Sequence, residues 1–236
     1  MLMLDALGKA VGQLADPRLR RPIWLTLLIS LALVAVLVAG VWVVLGEIRL
    51  LSIGWLDWVL TVLADAATLV IAWLLFPAAA SLVVSFFLDS VADAVERRHY
   101  PGLPPARRQP LAEQALGGLR FALVVLALNL AALPLYLAAL VVPPLYLFVF
   151  YGLNGYLLGR EYFELVALRR LDQRQVRSLR QAYGGRAFLA GVVIAFLLTV
   201  PIVNLIAPII ATAFMVHLLE AWRRRGGAPA VPVRNR

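Results

Sequence analysis

Arg18, Arg20 and Arg21 lie between two prolines in Asp16-Pro17-Arg18-Leu19-Arg20-Arg21-Pro22, the stretch of this chain best suited to hold an anion. Proline in a first turn starts a helix, and the unpaired amides of a helix N-terminus attract anions. Cations there oppose the helix dipole at a cost of about 0.3 to 1 kcal/mol, which a bound dianion reverses. Guanidinium forks match the geometry of tetrahedral oxyanions, and a pair of them neutralises a dianion. The same three arginines also suit a plainer role, holding the cytoplasmic end of a membrane span and touching lipid phosphate.

Asp65 is the second candidate. It falls about ten residues after Trp55, which as helix places it about 15 Å deep, near a bilayer midplane. An ionised aspartate at that depth costs about 2.5 to 3.5 kcal/mol, so it must be protonated, paired or facing a polar pathway. With Asp57, Thr61 and Thr68 it makes a polar stripe that could relay ions or protons, or simply hydrogen-bond a neighbouring helix. A third group, Arg160, Glu161 and Glu164, forms a charged cluster at the end of Tyr151-Gly152-Leu153-Asn154-Gly155-Tyr156, whose glycines allow close helix approach.

Other chemistries lack their residues. The chain has no cysteine, which removes disulfides and thiolate sites, and His99 and His217 stand far apart with no metal-ligand spacing. Nucleotide-binding loops, catalytic triads and paired-carboxylate sites are absent, so neither an enzyme nor a bound cofactor or metal is expected. The 22 basic residues, of which Lys9 alone is lysine, come without an RNA-binding aromatic signature, and no nucleic-acid partner is expected.

The elements that must position these groups are membrane helices. Hydrophobic residues make up 63% of the chain and charged residues 15%, a composition that takes lipid as its solvent. Pro22 to Leu45 is free of charge for about 24 positions, roughly 36 Å of helix, enough to span. A second span is expected from Trp55, with an amphipathic extension to Glu96 beyond a kink at Pro77; Trp55 and Trp58 act as interfacial anchors. Phe121 to Gly159 and Ala187 to Leu219 are uncharged but cut by Pro134, Pro143 and Pro144 and by Pro201 and Pro208. Opening arms of about 13 residues, near 20 Å, read as re-entrant, partly inserted hairpins. Residues 1–16 suit an interfacial helix, with Leu4, Leu7, Val11 and Leu14 opposite Asp5, Lys9 and Gln13. Residues 160–186 suit a cytoplasmic helix, and 226–236 a flexible tail.

The expected fold is therefore an all-α integral membrane protein with two long transmembrane helices and two re-entrant hairpins. Basic clusters then all face the cytoplasm. Hairpin turns inside a bilayer must be covered by protein or water, so a homo-oligomer is expected. No cleavable leader is expected, because about twenty residues carrying Asp5, Lys9 and Asp16 precede the first apolar run.

Two motifs give this chain a relative. Asn154-Gly155-Tyr156-Leu157-Leu158-Gly159-Arg160-Glu161-Tyr162-Phe163-Glu164 and Val200-Pro201-Ile202-Val203-Asn204-Leu205-Ile206-Ala207-Pro208 resemble the CysZ sulfate permeases and the related etoposide-induced membrane proteins over nearly the whole chain. The resemblance implies an oligomer in the bacterial cytoplasmic (inner) membrane that passes sulfate inward for cysteine biosynthesis. A Gly-Leu-Arg-Arg type sequence is associated with sulfate there; it carries over to Arg20 and Arg21, with Arg18 in the glycine's place. A second departure is Phe87 to Glu96, where an Asn-Gly-containing stretch is expected. The competing reading is a non-transporting scaffold or assembly factor whose arginines bind anionic lipid and partner proteins.

Overall fold

The computed structural model describes residues 3–13, 17–46, 54–85, 87–107 and 110–225, and every regular element among them is helical. In chain order these are α1 (Met3–Gly12), α2 (Pro17–Gly46), α3 (Gly54–Ser85), α4 (Leu88–His99), α5 (Leu111–Ala139), α6 (Pro143–Ala167), α7 (Gln173–Thr199), the short α8 (Pro201–Asn204) and α9 (Ala207–Arg225). At 30 and 32 residues, α2 and α3 run about 45 and 48 Å and pack on each other.

The core sits at one end of this assembly, where α4, the second half of α6, α7 and α9 meet. There α9 is buried from Ala207 to Glu220, with Phe163, Ile194, Phe214 and Met215 fully enclosed. A helix apolar on every side has to be surrounded, and α1, α4, α6 and α7 do so. By contrast, α2, α3 and α5 turn large apolar side chains outward, with Trp24 63%, Trp55 70% and Leu130 62% exposed. Water does not tolerate an apolar surface of that extent on a soluble monomer.

Closest packing is between α6 and α7, and it depends on glycine. A Cβ on Gly191 would fall on the carbonyl oxygen of Gly155 and 2.5 Å from the amide nitrogen of Gly159; one on Gly159 would fall on the carbonyl of Ala187. The Gly155-x-x-x-Gly159 pair of α6 thus receives Gly191 of α7 with backbone against backbone.

Several boundaries depart from the sequence expectation. Pro134 does not end its arm: α5 runs through it to Ala139, giving 19 residues from Phe121, about 28 Å, instead of about 13 residues. A proline removes one donor and crowds one carbonyl, which a long apolar helix can absorb. The second span does continue past Pro77 as expected, but the break in it falls later: α3 runs to Ser85 and α4 starts at Leu88, with Phe87 at φ −102°, ψ −5°. In the second hairpin the prolines do interrupt, Thr199 ending α7 and Ala207 starting α9.

Residues 160–186 are not one helix. α6 ends at Ala167, and α7 begins at Gln173 because Asp172 accepts from the amides of Arg174 and Gln175 (both 2.8 Å) while the Gln175 side chain accepts from the Asp172 amide (3.0 Å). This capping box restarts the helix. Asp172→Ala is expected to lower stability by about 1 kcal/mol, read as a small fall in melting temperature of the purified protein in detergent. Further on, α7 is distorted at Tyr183 (φ −121°, ψ 16°), whose ring stacks on Trp222 of α9 at 5.2 Å. Along α1 and the residue that follows it, the face turned to α9 is Ala6, Ala10 and Gln13, so Gln13 lies inside, not on the polar outer side; Leu4 points out. Leu14 and the tail 226–236 lie outside the described residues.

Candidate functional site

The three arginines proposed from the sequence belong to the opening turns of α2, which starts at Pro17. The side chains of Arg18, Arg20 and Arg21 lie outside the described residues, as does that of Asp57. Asp65 is half-buried, near the middle of α3. Its neighbour Thr68 donates its hydroxyl to the Ala64 carbonyl (2.8 Å), so that part of the polar stripe is bonded within its own helix.

Arg160 and Glu164 do come together, with Arg160 Nε donating to Glu164 Oε1 at 3.0 Å. The structure adds Arg180 of α7, which donates to the same oxygen. Arg160 also lies over the ring of Phe121, 5.8 Å from its centroid, tying α5 to the pair. Glu161 is exposed on α6 and lines the same cavity as this pair.

These groups line one wall of a cavity of about 1240 Å³, open to the outside, bounded by α4, the loop 100–107, the start of α5, the end of α6 and the start of α7. Opposite stands a network that reading the sequence missed. Arg169, in the turn after α6, donates to Asp89 (2.7 Å) and Asp93 and lies 3.4 Å from Glu96. Arg170 donates to Glu96 and to the Pro104 carbonyl. Burial opposes the charge of Arg169, but Glu96, Asp89 and Asp93 outweigh it and hold the guanidinium above its ordinary range. The spacing of Asp89, Asp93 and Glu96 along one face of α4 was the available signal; their partners lie 73 to 80 positions away.

The cavity carries eight arginines against six carboxylates. Most are paired: Arg97 with Asp93, Arg107 with Glu113, Arg160 and Arg180 with Glu164. It is thus a polar vestibule of nearly balanced charge, with Arg120 and Arg177 exposed on its rim.

Two described stretches, Ala112–Ala139 and Gln173–Thr199, are long and apolar enough to cross a bilayer, and together with the outward apolar faces they make this a membrane-associated protein. No curated protein matches the chain. The family described as Sulfate transporter CysZ/Etoposide-induced protein 2.4 matches residues 6–208, from α1 to the first turn of α9. The chain belongs to that family of sulfate-transporter-like membrane proteins.

Proposed function

We propose that this protein carries sulfate, or a related tetrahedral oxyanion, across the bacterial cytoplasmic membrane toward the cytoplasm, without a nucleotide-hydrolysing site. What carries the reading, beside the family match, is the start of α2 at Pro17. It puts Arg18 in the first turn, whose amides have no partner within the helix, and Arg20 and Arg21 immediately after it. Arg20 and Arg21 recruit the dianion and Arg18 adds a third cation. α2 and α3 are the full spans, while α5–α6 and α7–α9 enter and return on the cytoplasmic side, where the basic clusters gather. Copies of the chain assemble to cover the hairpin turns, and Asp65 serves as the intramembrane relay of that path.

Flux of radiolabelled sulfate into liposomes tests this. The intact protein is expected to give saturable uptake, and Arg20→Ala/Arg21→Ala, incorporated equally, to lose at least about tenfold of it, two charge-assisted contacts being removed. Absence of flux for sulfate and its analogues with intact protein would instead favour the scaffold that binds anionic lipid and partner proteins.

A further inference from the structure

His99 and His217, more than a hundred positions apart in sequence, meet edge-to-face at 5.0 Å between ring centroids. His217, fully enclosed on α9, uses both ring nitrogens: Nδ1 bonds the Tyr100 hydroxyl (2.9 Å) and Nε2 the Gln13 side-chain amide (2.8 Å). This knot pins α1, the end of α4 and α9 to one another. Above it opens a second cavity, about 370 Å³, lined by Lys9, His99, Tyr100, Ala221, Arg224 and Arg225.

The lining differs in kind from that of the larger vestibule. Among the described residues it contains three cations, an imidazole and a phenol, and no carboxylate. Glu220, an acid close to Tyr100, is bonded to Arg223 at 2.7 Å and turned inward with it. Among the described residues, none of Lys9, Arg224 and Arg225 has a carboxylate within ion-pair distance. The Arg224 guanidinium lies over the Tyr100 ring, 5.3 Å from its centroid, which orients its fork. Burial, then Glu220, push the Tyr100 hydroxyl above its ordinary range, and Arg224 draws it partly back; the hydroxyl stays protonated and can donate.

Arginines in the last turn of α9 would be placed well by the helix dipole alone. That does not account for Lys9, which comes from another helix, nor for the polar floor beneath it. A cavity of this volume falls within the range of about 300 to 1,000 Å³ usual for small-ligand sites, and has room for an oxyanion bearing an ester substituent.

We propose that the α1–α4–α9 cavity binds a tetrahedral oxyanion through Lys9, Arg224 and Arg225, either free in solution or as the phosphate of an anionic lipid headgroup. The site is distinct from the α2 arginines and does not depend on the transport reading.

To test it, the full chain is purified in an Arg20→Ala/Arg21→Ala background, which removes the contribution of those arginines, and equilibrium binding of radiolabelled sulfate and inorganic phosphate is measured. Retained phosphatidylglycerol is counted in parallel by native mass spectrometry. Arg224→Gln/Arg225→Gln and Lys9→Gln are compared with the parent, and Arg174→Gln, an exposed arginine outside the cavity, is the control. All three replaced cavity cations are exposed, so the core is undisturbed. A free-anion site shows sulfate or phosphate binding, unaffected by chloride, that weakens about tenfold or more in the cavity variants but not in the control. A headgroup site shows phosphatidylglycerol retained by the parent and lost from the same variants. If the cavity variants match the parent in both measurements, the site does not exist.

Discussion

Gly191→Ala is expected to leave no monodisperse protein after extraction. The added methyl has no space to enter: it would lie on the Gly155 carbonyl oxygen and against the Gly159 amide, and both belong to helical backbone that cannot rotate aside. Overpacking a core side chain typically costs about 1 to 3 kcal/mol because neighbours shift rotamers. Here α6 and α7 must separate along their length, which also uncovers Ala187, Ala190 and Ile194 and loosens the enclosure of α9. Gly159→Ala should behave alike, meeting the Ala187 carbonyl. Gly152 supplies the contrast, since a Cβ there meets nothing within 4 Å. Gly152→Ala in the middle of α6 should be neutral or stabilising by up to about 1 kcal/mol, through helix propensity. Size-exclusion profiles of the variants, with melting temperatures where protein survives, decide the matter; Gly191→Ala running like Gly152→Ala would mean that the two helices do not approach as described.

The second large effect is expected at Glu96. Its carboxylate is 5% exposed and is shared by Arg169 and Arg170, themselves 8% and 6% exposed. Replacing it with alanine leaves Arg169 its outer partners Asp89 and Asp93, but leaves Arg170, among the described residues, with only the Pro104 carbonyl. An uncompensated buried charge costs about 3 to 5 kcal/mol, a large part of the stability of a domain this size. The loop from Tyr100 to Arg107 is held through the same contacts, including the Arg107 amide to the Arg169 carbonyl at 2.8 Å, and should become sensitive to protease. Glu96→Leu/Arg170→Leu should recover much of the loss, because a buried pair replaced whole by apolar groups is often nearly neutral. A double-mutant cycle on melting temperature measures this. No coupling between the two positions would show that the pair is not a buried unit.

Local physical chemistry made much of the protein legible from residues alone. Apolar runs bounded by arginines state the solvent of the helices, because hydropathy and length are properties of a segment and need no partner. The glycines of the stretch from Tyr151 announced a close helix approach, although only packing decided that Gly155 and Gly159 make it and Gly152 does not. Pro17 marked the start of α2 because a fixed φ acts on its own turn.

Proline inside a run is different, because whether a helix absorbs it depends on what surrounds the freed carbonyl, and Pro134 was absorbed where Pro201 was not. That Gly191 answers Gly155, that Arg169 and Arg170 answer the acids of α4, and that His99 meets His217 over Tyr100 are decisions of packing. Each joins residues distant along the chain, and only burial sets which of many opposite charges or small faces becomes the partner. The sequence alone thus determined a membrane protein of helices with cationic ends. Tertiary structure alone decided which cations are spent on carboxylates, as around Glu96 and Glu164, and which, among the described residues, are not, as at Lys9, Arg224 and Arg225, because neutralisation requires contact and contact is made only when the helices are packed.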